Sequence, residues 1–197
     1  MQKSEIVYRE ILDNAFEYKT FKFTQLALAQ KFNISLSTVN NALKPLLDIG
    51  AIEKQTRSFT AINVKKILYY WATMRKFNRD IIYSTFVSES ILEREKRVPN
   101  DCTFTCFSAF KFIYKDLPSD YSEVYFYSSE KQLDEIKKRF LENKSAPPNV
   151  IVLKVDEITH EKRRSVVSKA QLFVDLWNLK QWQASEFLNK LEEELKL

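Results

Sequence analysis

Five polar side chains in one short segment have the chemistry to read double-stranded DNA. The segment is "NISLSTVNNALKPL" (residues 33–46), and the side chains are those of Ser37, Thr38, Asn40, Asn41 and Lys44. Hydroxyls, amides and a single cation are groups that reach base edges and phosphates in a major groove. These residues share a face only if the segment is a helix, on which side chains three and four positions apart are neighbours.

Three helices are predicted to build and position this segment. Residues 4–14 form the first, with an apolar stripe at Ile6, Val7, Ile11 and Leu12 and charges opposite. Thr24 and Ser35 are residue types favoured as N-caps, and each precedes a further helix. The third helix repeats apolar residues that pack it onto the first two, namely Leu36, Val39, Ala42, Leu43, Leu46 and Leu47.

Pro45 falls inside the predicted third helix. It cannot donate to the carbonyl of Asn41, and it disfavours helical geometry at Lys44. A mid-helix proline costs about 3 kcal/mol, so we expect a bend or a tightened turn at residues 44–45. The groove-facing segment would then end at the proline.

A hairpin is predicted after Gly50, with strands at 51–55 and 59–63 around the tip "QTRS". Three helices and a hairpin in this order make a winged helix. The stretch "ISLSTVNNALKPLLDIGAIEK" (34–54) resembles the motif of bacterial and archaeal winged-helix regulators, with its Ser-x-x-Thr-Val helix start, Ala-Leu packing and Gly before the wing. The resemblance implies that the five polar residues named above face DNA, with Lys54 and Arg57 on the wing.

The charge distribution agrees with a DNA-binding N-terminal part. The net charge is +5, and residues 1–66 carry ten Lys or Arg against six Asp or Glu, whereas the remainder is nearly balanced. A basic surplus confined to one part of a chain is the electrostatic footprint of a nucleic-acid-binding module. Affinity would rest on cations around the third helix: Lys19, Lys22, Lys31, Lys54, Arg57, Lys65 and Lys66.

Several kinds of catalytic site are excluded by composition. The single glycine, Gly50, rules out Gly-rich phosphate loops and nucleophile elbows. Two cysteines, Cys102 and Cys106, and one histidine, His160, are too few for a four-ligand Cys/His zinc site. We therefore expect no enzyme activity, cofactor or metal, and we interpret the two cysteines as buried packing residues.

The rest of the chain is predicted to form a connector and a small α/β layer. A connecting helix is expected over 64–97, broken near Asn78. Helices are then expected at 103–115, 129–143 and 181–196, and strands at 122–128, 150–155 and 170–177. The fold class is therefore α+β: a winged helix-turn-helix at 1–64, connecting helices at 65–98, and at 99–197 a short sheet covered by helices, serving as an effector or partner-binding domain.

The C-terminal part resembles that of the AbiEi-type antitoxins of type IV toxin–antitoxin systems. The similarity lies in a predicted strand ending in Val174-Asp175-Leu176, followed by an Ala184-x-x-Phe187-Leu188 helix, and in an "FSAF" helix before a strand. It implies a winged-helix protein that represses its own operon and pairs with a nucleotidyltransferase-like toxin. A Gly- and Arg-containing turn is expected in that family where this chain has "NLKQWQ".

Three functions remain open from the sequence. The first is a cytoplasmic, sequence-specific DNA-binding transcriptional regulator, acting as a homodimer on a palindromic site, with no membrane association since no signal peptide or membrane span is evident. The second is a winged helix that docks a protein and does not bind DNA in the cell. The third is a metal-dependent nucleic-acid enzyme with its site among Asp156, Glu157 and Asp175.

Overall fold

The N-terminal part is built from three helices and a small sheet. The protein is described here from a computed structural model that covers residues 2–156 and 165–197. The elements are α1 (Lys3–Tyr18), β1 (Lys22–Phe23), α2 (Gln25–Lys31), α3 (Leu36–Asp48), β2 (Ile52–Lys54) and β3 (Phe59–Ala61). The strands pair antiparallel in the order β1-β3-β2. Three helices followed by the β2–β3 hairpin agree with the predicted order of elements, whereas strand β1 was not predicted.

Local sequence explains where these helices begin and where the chain turns. Thr24 Oγ1 accepts a hydrogen bond from the Ala27 amide (3.1 Å), and Ser35 Oγ accepts one from the Thr38 amide (3.0 Å). These caps satisfy amides that have no partner within their own helix. Asn33 (φ 48°) and Gly50 (φ 63°) take left-handed conformations after α2 and α3, the first an expected substitute for glycine.

The second part contains a four-stranded sheet between two helical layers. Its elements are α4 (Val64–Met74), β4 (Ile81–Thr85), α5 (Ile91–Arg97), β5 (Thr103–Thr105), α6 (Cys106–Tyr114), β6 (Val124–Ser128), α7 (Leu133–Arg139), β7 (Val150–Lys154), α8 (Lys169–Trp177) and α9 (Gln183–Leu195). The strand order is β4-β7-β6-β5, with β6 and β7 parallel and the other pairs antiparallel. Helices α6, α8 and α9 cover one face, and α5 and α7 cover the other. The predicted α+β class is confirmed.

Three secondary-structure predictions in this part were wrong. The connecting helix expected over 64–97 stops at Met74, and residues 81–85 form strand β4 instead. The strand expected at 170–177 is helix α8, capped by Ser168 and buried at every position from 170 to 176. When a run is buried on every side, its apolar residues show no period by which a strand could be distinguished from a helix in the sequence. The helix expected at 103–115 is preceded by the short strand β5.

Helix α1 buries its charged face as well as its apolar one. Glu5, Arg9, Glu10 and Asp13 are all buried, because α1 packs against α3 on one side and against α4 and α8 on the other. A single apolar cluster therefore runs from Val7 in α1 to Leu191 in α9. The domain boundaries at residues 64 and 98 stay predictions.

Within the described parts of the chain, no helix is long and apolar enough to cross a membrane.

Candidate nucleic-acid interface

Helix α3 turns one face to the core and the opposite face to solvent. Its core face consists of Val39, Ala42, Leu43 and Leu46, all of them buried. Four of the five polar residues predicted to read DNA are exposed on the other face, namely Ser37, Asn40, Asn41 and Lys44. Their spacing of three and four residues spreads them along about 10 Å of helix. That length matches a major groove about 12 Å wide.

Thr38, the fifth predicted residue, has a structural role in the first turn of α3. It is half-buried, and its Oγ1 lies 2.8 Å from Oγ of the N-cap Ser35. Its hydroxyl is thereby held at the helix start. By contrast, no hydrogen bond or ion pair between described residues engages the side chains of Ser37, Asn41 or Lys44, and these are available to a ligand.

The β2–β3 hairpin places its cations next to α3. Lys54 Nζ donates to Asn40 Oδ1 in a long contact of 3.5 Å, which joins the hairpin to the exposed face of the helix. Two hydrogen bonds close the tip of the hairpin. The backbone N–H of Gln55 donates to the Ser58 carbonyl (2.8 Å), and Ser58 Oγ donates to Gln55 Oε1 (2.9 Å). Arg57 is exposed at this tip, so six of the seven predicted site residues are exposed and Thr38 is half-buried.

Pro45 lies inside α3 and does not end it, and the bend or tightened turn expected at residues 44–45 stays a prediction. The helix continues to Asp48, and Ala51 donates back to the Leu46 carbonyl (2.8 Å). Pro45 has no backbone N–H, so α3 loses one intrahelical hydrogen bond, the one to the Asn41 carbonyl. The turn that contains the proline is held in two ways. The side chain of Leu46 is fully buried, and Tyr8 Oη donates a hydrogen bond to the Ala42 carbonyl (3.0 Å).

Some of the cations expected to surround α3 are engaged within the protein. Lys31 forms an ion pair with Glu10, and Lys66 Nζ donates to the Ile49 carbonyl (2.8 Å). Lys22, in contrast, is exposed on the edge strand β1. Lys44 lies on α3 itself, Lys54 contacts Asn40 of α3, and Arg57 lines a cleft together with Leu36.

An apolar cleft lies between the hairpin and the first turns of α2 and α3. Its volume is about 510 Å³, and it is lined by Thr24–Leu26, Leu36 and Lys54–Ser58. Leu36 is 49% exposed, so its assignment to the packed core from sequence was wrong. The sequence could have indicated this exposure, because Leu36 directly follows the N-cap Ser35 and is the first residue of α3. A side chain at that position extends beyond the turns that pack against the core.

A second polar cluster, buried in the core, centres on Arg75. The guanidinium of Arg75 is 3.3 Å from Glu5, 2.5 Å from Asp80 and 3.6 Å from Asp175. Burial lowers the pKa of Arg75, but Tyr127 and the carboxylates raise it above its ordinary value overall. The guanidinium therefore stays charged and ties α1, α4 and α8 together.

Asp175 is fully buried at the centre of this cluster. Burial raises the pKa of Asp175, against the lowering effects of Arg75 and of the hydrogen bonds donated by Thr105 (2.7 Å), Tyr127 (2.8 Å) and Gln171 (2.8 Å). Asp156 pairs with Arg9 through two contacts of 2.8 and 2.9 Å. Two of the three acids of the metal-site hypothesis, Asp156 and Asp175, thus serve in ion pairs. The third, Glu157, lies outside the described residues, as does His160.

The two cysteines pack on opposite sides of the sheet. Cys102 belongs to the cluster beneath α5 and α7, whereas Cys106 belongs to the cluster that contains α1 and α8. Both are free and buried, and burial raises the pKa of the Cys102 thiol to about 11. A thiol with a raised pKa is a poor nucleophile, so the interpretation as packing residues is confirmed.

Comparison with known proteins gives one match. A family model described as a Firmicute plasmid replication protein (RepL) matches residues 1–105. The match spans α1 to β5 and includes α3, the β2–β3 hairpin and Arg75. No curated protein and no solved structure matches the chain significantly.

Proposed function

Since this chain belongs to the Firmicute plasmid replication protein (RepL) family, we propose that it binds plasmid DNA and regulates processes linked to plasmid replication. The binding is sequence-specific, with α3 in the major groove and the β2–β3 hairpin against the flanking backbone. Its place of action is the bacterial cytoplasm, where plasmid DNA lies. DNA binding of this kind needs no cofactor, metal or catalytic residue.

One observation carries this proposal. Ser37, Asn40, Asn41 and Lys44 point to solvent from a helix whose other face is fixed in the core. A rigid helix that presents amides, a hydroxyl and a cation along the width of a groove has the geometry for base readout. Lys54 and Arg57 lie beside it, where they would contact phosphates and position the helix.

The test is loss of DNA binding when the amides of α3 are removed. We expect Asn40→Ala combined with Asn41→Ala to weaken binding at least about tenfold, because each good base contact contributes about 1–3 kcal/mol. Binding is measured by fluorescence anisotropy, with duplexes from the plasmid origin and from the DNA upstream of the gene. Unchanged affinity in a folded double variant would contradict the groove contact.

A matched control separates a contact from a general effect of substitution. Asn100 and Asn189 are exposed asparagines in the second part of the chain. Asn100→Ala combined with Asn189→Ala also removes two exposed side-chain amides, but far from α3 along the chain. This double variant should leave the affinity for DNA unchanged. If the full chain binds none of the duplexes at low salt, the alternative of a protein-docking winged helix gains support.

A finer proposal is that the protein represses its own gene as a homodimer, in the manner of an antitoxin. A reporter fused to the upstream DNA should then be repressed by the wild type and released by the double asparagine variant. A toxin partner rests only on the resemblance of the C-terminal part, and one segment quoted for it, Val174-Asp175-Leu176, is helical here. Co-purification with a neighbouring nucleotidyltransferase would test that partnership.

A further inference from the structure

The cleft beside α3 presents apolar side chains on a surface that is otherwise polar and basic. Leu36 is 49% exposed and Leu26 is 55% exposed, and both line this cleft together with Lys54 and Arg57. Exposed single leucines are common on proteins. These two are notable because they lie on the face proposed to meet DNA and share one cavity with two of its cations.

Leu36 is placed where a base edge would be reached. It is the first residue of α3, and the N-terminal end of a recognition helix is the part that enters the groove. The cap bond from the Thr38 amide to Ser35 and the contact between the two hydroxyls fix this first turn. The backbone that carries Leu36 is therefore held in place, and the side chain extends beyond it into solvent.

Leucine offers no hydrogen bond, so its partner in DNA has to be apolar. The major groove contains one such feature, the 5-methyl group of thymine. Lys54 and Arg57 border the cleft, and their charge complements the phosphates that flank any base in the groove. An apolar centre with a cationic border fits a thymine methyl next to the backbone of its own strand.

We propose that Leu36 is a specificity-determining residue that contacts a thymine methyl group, with Leu26 forming the adjacent wall of the cleft. The contact selects T·A over C·G at one position of the binding site. This inference rests on the proposed function, because it needs α3 to lie in the major groove.

The test removes only the methyl group from the DNA. A binding site is first obtained by selecting tight binders from random duplexes with the full-length protein. Each thymine is then replaced in turn by uracil, which keeps the hydrogen-bonding edge and lacks the methyl. We expect one position at which the wild type loses about fourfold in affinity, the value of about 0.8 kcal/mol for one buried methyl-sized group.

A variant of Leu36 tests the same contact from the protein side. Leu36→Ala should bind the thymine duplex about as weakly as the wild type binds the uracil duplex, and it should not distinguish the two. Leu92→Ala is the matched control, because Leu92 has a similar exposure (55%, against 49% for Leu36) in the first turn of a serine-capped helix, α5. This control should keep the full preference for thymine.

The outcomes separate this inference from the proposal on which it rests. If the wild type binds tightly but no uracil substitution matters, or if Leu36→Ala keeps the preference for thymine, Leu36 is not the reader and DNA binding stands. If no duplex is selected by the wild type, both proposals are overturned. Circular dichroism confirms that each variant is folded.

Discussion

Arg75 places a positive charge inside the protein, where three carboxylates surround it. Glu5 comes from α1, Asp80 from the turn after α4, and Asp175 from α8, and Arg75 itself is 4% exposed. A buried charge is stable only when it is paired and hydrogen-bonded. Arg75 therefore supplies counter-charge to the buried carboxylates of Glu5 and Asp175.

Arg75→Met should destabilise the protein strongly. The substitution keeps most of the side-chain volume but leaves the buried carboxylates without their cation, and breaking a buried ion pair in this way costs about 3–5 kcal/mol. The free energy of unfolding is measured by urea denaturation. Arg79→Met is the control, because Arg79 is exposed four residues further on, and its effect should stay below about 0.5 kcal/mol. Similar losses in the two variants would contradict the role given to Arg75.

Individual side chains were predictable where local sequence alone sets their exposure. The outward positions of Ser37, Asn40, Asn41 and Lys44 follow from the period of a helix whose apolar residues are easily recognised. Burial of Glu5 and Asp175 was not predictable, since the partner that makes it possible is distant in sequence. Leu36 was assigned to the core because it fits the apolar period of the helix. It is the first residue of α3, however, and no earlier helical turn covers its side chain, which the period alone does not reveal.

At the scale of elements, the beginning of α3 decides how the proposed reading surface is presented. Ser35 caps the helix through the Thr38 amide and also contacts the Thr38 hydroxyl. Ser37 and Leu36 lie in the turn that this cap holds. Loss of the cap would let the turn fray, and the side chains nearest the groove would lose their fixed positions.

Ser35→Ala should lower both stability and DNA affinity. An N-cap serine contributes about 1 kcal/mol to stability, so thermal unfolding should shift to a lower temperature by a few degrees. Ser90→Ala removes the equivalent cap of α5, where Ser90 accepts from the Glu93 amide (3.4 Å). It should reduce stability to a similar degree or less and leave DNA affinity unchanged. Equal weakening of DNA binding by both substitutions would show that the effect arises from stability alone.

Elements were predictable from sequence where caps and amphipathic periods agree, as they do for α2 and α3, whereas the two-residue strand β1 was missed. The prediction of α8 failed because residues 170–176 are buried on every side, and such a run has no polar face to reveal its period. Strand β4 was missed because "IIYST" follows a helix without a proline or glycine to separate them. Its partner β7 lies about 70 residues further on, and pairing at that distance leaves no local signal.

The whole molecule shares one apolar core between its two parts. Helix α1 packs against α3 in the N-terminal part and also against α4 and α8 in the second part. The ion pair of Arg9 with Asp156 adds a polar link between the beginning of the chain and the end of β7. Ending the first domain at residue 64 would therefore expose buried groups of α1, including charged ones.

The full chain should unfold in a single transition, and a fragment of residues 1–64 should not be stably folded. The fragment loses Trp71, whose Nε1 donates to Glu5 (3.1 Å), together with Arg75 and the apolar surface of α8. Thermal unfolding of the full chain is followed by near- and far-ultraviolet circular dichroism, and the fragment by hydrogen exchange. Two separate transitions, or a fragment with protected amides, would indicate that the winged helix is an autonomous domain.

The shared charges of the core also restrict how such a chain could exchange parts with its relatives. A hybrid that took α1 to α3 from one protein and the rest of the chain from another would bring Glu5 and Asp175 from different parents. If Arg75 or either acid were missing from one parent, the hybrid would bury an unmatched charge at the junction. Replacement of α1 to α3 as a block is therefore restricted, whereas the outer face of α3 can change without altering these buried charges.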